Sequence, residues 1–129
     1  MSALLAIFGA VSAMVYPQGF CKATDGDTVR CGQERVRIAE IDAPEMPGHC
    51  RKNRVCAPGN PHDSRASVRS FLAQGQVRVE RYSVDHYGRT IGDVIVRGQS
   101  LACWQVNNRQ AIVQKKWGDY GVLRRGCRR

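Results

Sequence analysis

Cys21 and Cys31 stand symmetrically about Gly26, in the run Asp25-Gly26-Asp27. Asp-Gly between two short strand-like segments, here Phe20 to Ala23 and Thr28 to Cys31, is a strong hairpin signal. A hairpin centred there sets the two cysteines opposite one another, so the mature chain opens on a pinned antiparallel pair. Cys50 and Cys56 share a proline-punctuated stretch and suit a short disulfide loop. Cys103 is then left for Cys127, which ties the tail to the second helix. The alternative for six cysteines is a zinc site, but no C-x-x-C pair occurs. Six cysteines in 129 residues exceed the habit of a reduced cytosolic domain and point to an oxidising compartment. The length corresponds to one domain.

Around this staple the pattern is mostly strand. Gln33 to Ile41 alternates Val36 and Ile38 against Arg35 and Arg37, which is period two. Pro44, Pro47, Pro58 and Pro61 punctuate an irregular stretch up to Asn60. Asp63 or Ser64 can then cap a helix with Val68, Phe71 and Leu72 on one face, stopped by Gly75. Val77 to Tyr82 and Thr90 to Val96 read as strands joined by the turn Asp85-His86-Tyr87-Gly88, and Ser100 to Asn107 as a short helix. Strands, helix, strands, helix is an α+β order, mainly β. It suits a small barrel with helices packed on it better than a parallel βαβ sheet.

Residues 3–15 are a nearly continuous apolar run, too short to span a bilayer. Residues 1–15 read as a signal peptide, with Val11-Ser12-Ala13 as the cleavage site, followed by a domain over residues 20–129. The alternatives are a buried strand or an uncleaved apolar segment that tethers the chain to a membrane. The expected location is secreted or periplasmic.

Twenty Lys and Arg against eleven Asp and Glu give a net charge of +9. Such an excess favours a polyanionic partner. The acids nevertheless cluster. Asp25, Asp27, Glu40, Asp42, Glu45 and Asp85 lie in three short segments that also hold Arg37 and Arg89. Several carboxylate oxygens suit a hard divalent cation, and the planar fork of arginine suits phosphate. Together they imply a metal ion meeting a phosphodiester.

D-G-D-T at 25–28, R-I-A-E-I-D-A-P-E at 37–45 and D-H-Y-G-R at 85–89 resemble the motifs of the staphylococcal (micrococcal) nuclease family, in that family's order, over Cys21 to Val113. The resemblance implies a five-stranded OB-type barrel with two to three short helices, here stapled by disulfides. It implies a Ca2+-dependent, sequence-nonspecific endonuclease that hydrolyses phosphodiesters of DNA, RNA or both, releases the 5′-oxygen and leaves 3′-phosphates. Asp27 and Asp42 would be metal ligands with the backbone carbonyl of Ala43, and Asp25 would lie close by. Glu45 would be the general base. Arg37 and Arg89 would hold the scissile phosphate. Tyr87 and Asp85 would serve substrate binding. His86 stands where the best-known member has Lys.

Beyond Val113 the resemblance fades. Lys115, Lys116 and Trp117 replace the tyrosines that stack on a base, so substrate contact there falls to these three residues. The family's long C-terminal helix is absent from the pattern. A monomer without stable membrane association after signal removal is expected. The alternative reading is a non-catalytic nucleic-acid or polyanion-binding module on the same barrel.

Overall fold

The computed structural model of the chain describes residues 15–127. Except for Val15, the proposed signal peptide and its cleavage site lie outside the described residues. The expected hairpin forms: β1 (Cys21–Asp25) and β2 (Thr28–Cys31) pair antiparallel with Cys21 opposite Cys31, and the two are disulfide-bonded. The other bridges are Cys50–Cys56 and Cys103–Cys127, the pairing expected above.

Strand β3 (Glu34–Ile38) continues the meander beside β2. It runs parallel to β6 (Thr90–Val96), which pairs antiparallel with β5 (Arg78–Val84) and with the short β7 (Gln99–Ser100). The order is β1-β2-β3-β6-β5. The five expected strands are therefore present, but the sheet is mixed and does not close into the expected barrel. Among the described residues the only backbone bridge between its two ends is that of Tyr16 with Val77, just ahead of β1 and β5.

Gln33 to Ile41 is not one strand, as the alternation implied. It breaks at Glu40, whose φ is 69°, a left-handed backbone that no strand accommodates. The chain resumes as β4 (Ile41–Asp42), which pairs with β8 (Ile112–Val113). This break turns Asp42 and Glu45 away from the line of β3.

Helix α1 (Pro61–Leu72) begins earlier than Asp63 or Ser64. Its N-cap is Asn60, whose side chain accepts from the N–H of His62 and Asp63. Pro61 fits the first helical position, where its missing N–H costs nothing. Ser64, Val68, Phe71 and Leu72 form the buried face, at the i, i+4, i+7, i+8 spacing of an amphipathic helix. Phe71 is fully buried and packs against Trp104 of α2 (Leu101–Asn107). Truncating Phe71 to alanine would cost about 3–5 kcal/mol. The hairpin turn sits against α1: a Cβ on Gly26 would come within 1.8 Å of Ser64 Oγ and 2.7 Å of the Ala43 Cβ. Buried Gln105 of α2 donates from Nε2 to the Gly26 carbonyl at 2.8 Å and to the Ser64 carbonyl at 3.1 Å. The acidic turn is thus fixed from behind by both helices.

The tail ends in one short helix, α3 (Val122–Gly126), rather than a long one. Glu40 takes over part of its anchoring. The Glu40 carboxylate is buried and accepts from the backbone N–H of Tyr120, Val122 and Leu123. The Cys103–Cys127 bridge holds the far end of α3 to α2.

Candidate active site

One cavity of about 990 Å³ is lined by Asp25, Asp27, Arg37, Glu45, Asp85, Tyr87, Arg89 and Trp117, together with residues of β3 and of the Cys50–Cys56 loop. The three motifs, far apart in sequence, therefore meet. The hairpin turn brings Asp25 and Asp27, β3 brings Arg37, and the segment after β4 brings Glu45. The turn between β5 and β6 brings Asp85, Tyr87 and Arg89.

Arg37 is the centre of this arrangement. Its Nη1 donates to the carbonyls of Ile38 at 2.7 Å and Ile41 at 2.9 Å, which fixes the side chain across the β3–β4 break. Its Nη2 then lies 3.4 Å from Asp27 Oδ2 and 3.6 Å from Asp42 Oδ1. Two buried carboxylates from different elements thus face one nitrogen. Asp27 is held by Thr28 Oγ1 and by the backbone N–H of Ala43, the latter at 3.0 Å on Oδ2. Asp27, Asp42 and the Ala43 backbone consequently share one small volume.

Asp25 accepts from the Asp27 backbone N–H through Oδ1 at 3.0 Å. Burial, and then the neighbouring Asp27 charge, push its carboxyl up to about 7. Asp25 therefore keeps its proton more readily than a free carboxyl, and added positive charge nearby would favour its ionised form. Among the described residues, no three His, Cys, Asp or Glu converge as a ready metal cluster. An ion held here would draw on the Asp27 and Asp42 carboxylates and on water. That all-oxygen set fits a hard divalent cation and not zinc or copper.

Arg89 is oriented by Asp85, which the sequence reading assigned to substrate binding. Asp85 Oδ2 accepts from Arg89 Nε at 2.8 Å, and Oδ1 accepts from the backbone N–H of Arg89 at 2.9 Å and of Tyr87 at 3.0 Å. Burial pulls the Asp85 carboxyl upward, but the Arg89 backbone and guanidinium outweigh it and leave it below the usual range. The Arg89 guanidinium lies over the Tyr87 ring at 5.4 Å. Only Nε of the Arg89 guanidinium is engaged by Asp85; among the described residues its Nη atoms make no hydrogen bond.

Of the three tail residues, Trp117 lines the cavity and is half exposed. Lys116 rests over its ring at 4.6 Å, and Lys115 is directed to Asp119 at 3.7 Å. Neither lysine lines the cavity. Glu40, grouped with the site acids by sequence proximity, lines one edge of the cavity, but its carboxylate is spent on the tail.

Two arginines enter beyond the motif residues. Arg35 donates to the Tyr87 carbonyl and so docks the β5–β6 turn onto β3. It shares a face of β3 with Arg37, and that alternation was the available signal. Arg54, from the Cys50–Cys56 loop, donates from Nη1 to Glu45 Oε1 at 2.8 Å and from Nη2 to both Asp42 oxygens at 3.3 Å. No periodicity marks it.

The family model described as staphylococcal nuclease homologue matches residues 35–121. That span contains the second and third motifs, while Asp25 to Thr28 precede it. The chain is 30% identical over 125 residues to an uncharacterized endonuclease of Haemophilus influenzae, covering 91% of this chain and 65% of that protein. It is 28% identical over 96 residues to the succinoglycan biosynthesis protein ExoI of Rhizobium meliloti, covering 73% and 50%. It is 36% identical over 64 residues to the probable endonuclease LCL3 of Uncinocarpus reesii, covering 48% and 19%. The chain spans less than two thirds of the length of each of these relatives. With the family model covering most of its sequence, the chain belongs to the staphylococcal nuclease family.

Proposed function

We propose that the chain is a Ca2+-dependent, sequence-nonspecific endonuclease that hydrolyses phosphodiester bonds of DNA, RNA or both. The observation that carries this reading is the meeting of Asp27, Arg37, Glu45 and Arg89 around one cavity, with buried Asp42, which does not itself line the cavity, 3.6 Å from Arg37. Asp27, Asp42 and the Ala43 carbonyl would hold Ca2+, which when bound supplies positive charge beside the phosphate. Arg37 and Arg89 bind the scissile phosphate from opposite motifs, each with its orientation set by a second contact. Arg89, held through Nε, keeps its two Nη atoms for the phosphate, whereas Arg37 is fixed through both Nη atoms and offers mainly its placed positive charge; charge fixed before it is needed is the condition for electrostatic stabilisation of a transition state. Glu45 receives a proton from the attacking water as the new P–O bond forms. The bond to the 5′-oxygen breaks, that oxygen takes a proton from solvent, and a 3′-phosphate remains. Trp117 offers a flat face for an unstacked base.

The net charge of +9 supports phosphate contacts without a base reader. Binding should therefore weaken with salt, by a slope of roughly 0.7 per released counterion on single strands. The three disulfides suit an extracellular or periplasmic setting. Among the described residues no helix is long and apolar enough to cross a membrane. Incubating plasmid and single-stranded RNA with the oxidised protein in Ca2+, Mg2+ and EDTA tests the reading. Cleavage in Ca2+ that EDTA abolishes, with 3′-phosphate ends, is expected. Salt-dependent binding without cleavage would instead identify a binding module.

A further inference from the structure

We propose that Arg54 is a positioning residue of the cleavage site, delivered by the Cys50–Cys56 disulfide loop. There it holds Glu45 in place and competes with the metal ion for Asp42. The inference rests on the nuclease reading above. Glu45 follows Pro44 in a segment without regular structure, so its side chain needs an external constraint. Among the described residues the one side-chain hydrogen bond it receives is from Arg54 Nη1, at 2.8 Å on Oε1. That contact leaves Oε2 free to take a proton. A charge-assisted bond of this length is strong enough to select one rotamer of a carboxylate that is a quarter exposed.

The same guanidinium reaches the metal side. Nη2 lies 3.3 Å from both oxygens of Asp42, and Asp42 is one of the two carboxylates proposed to hold Ca2+. A cation entering there meets a positive charge already in contact with its ligand. Arg54 thus trades affinity for order: it weakens the ion's hold while it aligns the base.

The loop that carries Arg54 has no helix or strand between Asp42 and Pro61. The Cys50–Cys56 bridge closes it, and one backbone bond, Arg54 N–H to the Arg51 carbonyl at 3.1 Å, shapes its tip. Across the cavity the Arg54 guanidinium lies 5.8 Å from the Trp117 ring centroid, which limits its sideways travel. Removing the bridge should free the loop and reproduce the loss of Arg54 without altering a charge.

The experiment compares wild type, Arg54→Gln, Arg54→Lys and the pair Cys50→Ser/Cys56→Ser, all as full-length protein with the remaining disulfides formed. Initial rates are measured on a single-stranded oligonucleotide at saturating Ca2+. Ca2+ affinity is measured separately by calorimetry without substrate. Arg54→Gln should lower kcat by about 10²-fold with KM within about twofold, the size expected when a catalytic group is misplaced. Its Ca2+ Kd should fall by up to about fivefold, as for the loss of one partly exposed opposing charge. Arg54→Lys should recover part of kcat, since an ammonium still pairs with Glu45 but cannot span to Asp42. The double serine variant should follow Arg54→Gln in kcat. Near-ultraviolet circular dichroism checks that each variant is folded.

A merely structural residue would not lower kcat and tighten the ion together. Unchanged kcat in Arg54→Gln, or weaker Ca2+ binding in it, overturns the inference while the nuclease reading stands. A wild type that binds Ca2+ but cleaves nothing overturns both.

Discussion

Strand β3 carries two arginine–carboxylate clusters, and they are built differently. At its start, Glu34 has every lone pair in use. Its Oε1 accepts from Tyr16 Oη at 2.8 Å and Arg81 Nη2 at 2.7 Å, and its Oε2 from Arg81 Nε at 2.7 Å and Thr90 Oγ1 at 2.8 Å. Near its end, Arg37 Nη2 stands 3.4 and 3.6 Å from two aspartates, and Arg54 spreads over Asp42 and Glu45. Those contacts to aspartate are looser than the 2.7–2.9 Å of a well-made charged hydrogen bond. The first cluster is saturated and joins β1's leader, β3, β5 and β6. The second has acids in excess of what its arginines satisfy, and it faces a cavity. Saturated charge holds a fold together; loosely paired charge beside a cavity is what a cation or a phosphate could still engage.

If that distinction is right, substitutions in the second cluster should change rate and leave stability alone. Glu45→Gln carries the largest expected effect, a fall in kcat of roughly 10²–10⁴-fold for a lost general base. Added Ca2+ should not repair it, and the denaturant midpoint should match wild type. Arg89→Lys should also lower kcat, because an ammonium cannot match the fork on a phosphate whose charge is growing. Asp42→Asn should lose activity by a different route, since a neutral amide is a poorer ligand for a hard cation. Its rate should return in part at high Ca2+. A Ca2+ titration of initial rate for the three variants reads this directly. Rescue of Glu45→Gln and not of Asp42→Asn would reverse the assigned roles.

Glu40 sharpens the comparison from the saturated side, though it lines an edge of the cavity. Its carboxylate satisfies three backbone N–H groups of the tail, and it sits at a left-handed φ of 69°. Glu40→Ala should destabilise the fold by about 1–3 kcal/mol through unsatisfied buried donors. Chemical denaturation should show the loss, and kcat of the folded fraction should change far less than in Glu45→Gln.

Glu40 also marks how far the sequence could be read. The motif residues Asp27, Arg37, Glu45 and Arg89 were legible because chemistry restricts their types and because turn and strand signals place them locally. The hairpin and the Cys21–Cys31 bridge followed from symmetry about Gly26. Glu40 looked identical in kind to Asp42 and Glu45, and only its backbone conformation, which a non-glycine residue does not advertise, turns it to the tail. Arg54 was hidden for a related reason. It lies in a loop with no period, and a six-residue disulfide separation closes the loop without fixing where one arginine within it aims. The open edge between β1 and β5 was equally illegible, because pairing between strands so far apart in sequence leaves no local pattern. For Lys115 the sequence offers charge alone, and its near neighbour Asp119 claims it.

The smallest expected effect is the pH response of the saturated cluster, and it tests whether saturation is what stabilises. Arg81 first, then Tyr16 and Thr90, hold the Glu34 carboxyl down to about 2 from an ordinary 4.5, against the opposing pull of burial. The folded state therefore binds this proton more weakly than the unfolded state. By linkage, the stabilisation is fully present above pH 4.5 and is lost as pH falls from there toward 2. Arg81 is half exposed, so solvent screening keeps the contribution near that of a good surface pair, about 1 kcal/mol. Glu34→Gln should be less stable than wild type at pH 7 by that amount, with the gap constant down to about pH 5 and closed near pH 2. Urea midpoints at matched ionic strength measure it. A gap that survives to pH 2 would place the stabilisation in the packing of the Glu34 stem rather than in its charge, and the contrast between the two clusters of β3 would lose its physical basis.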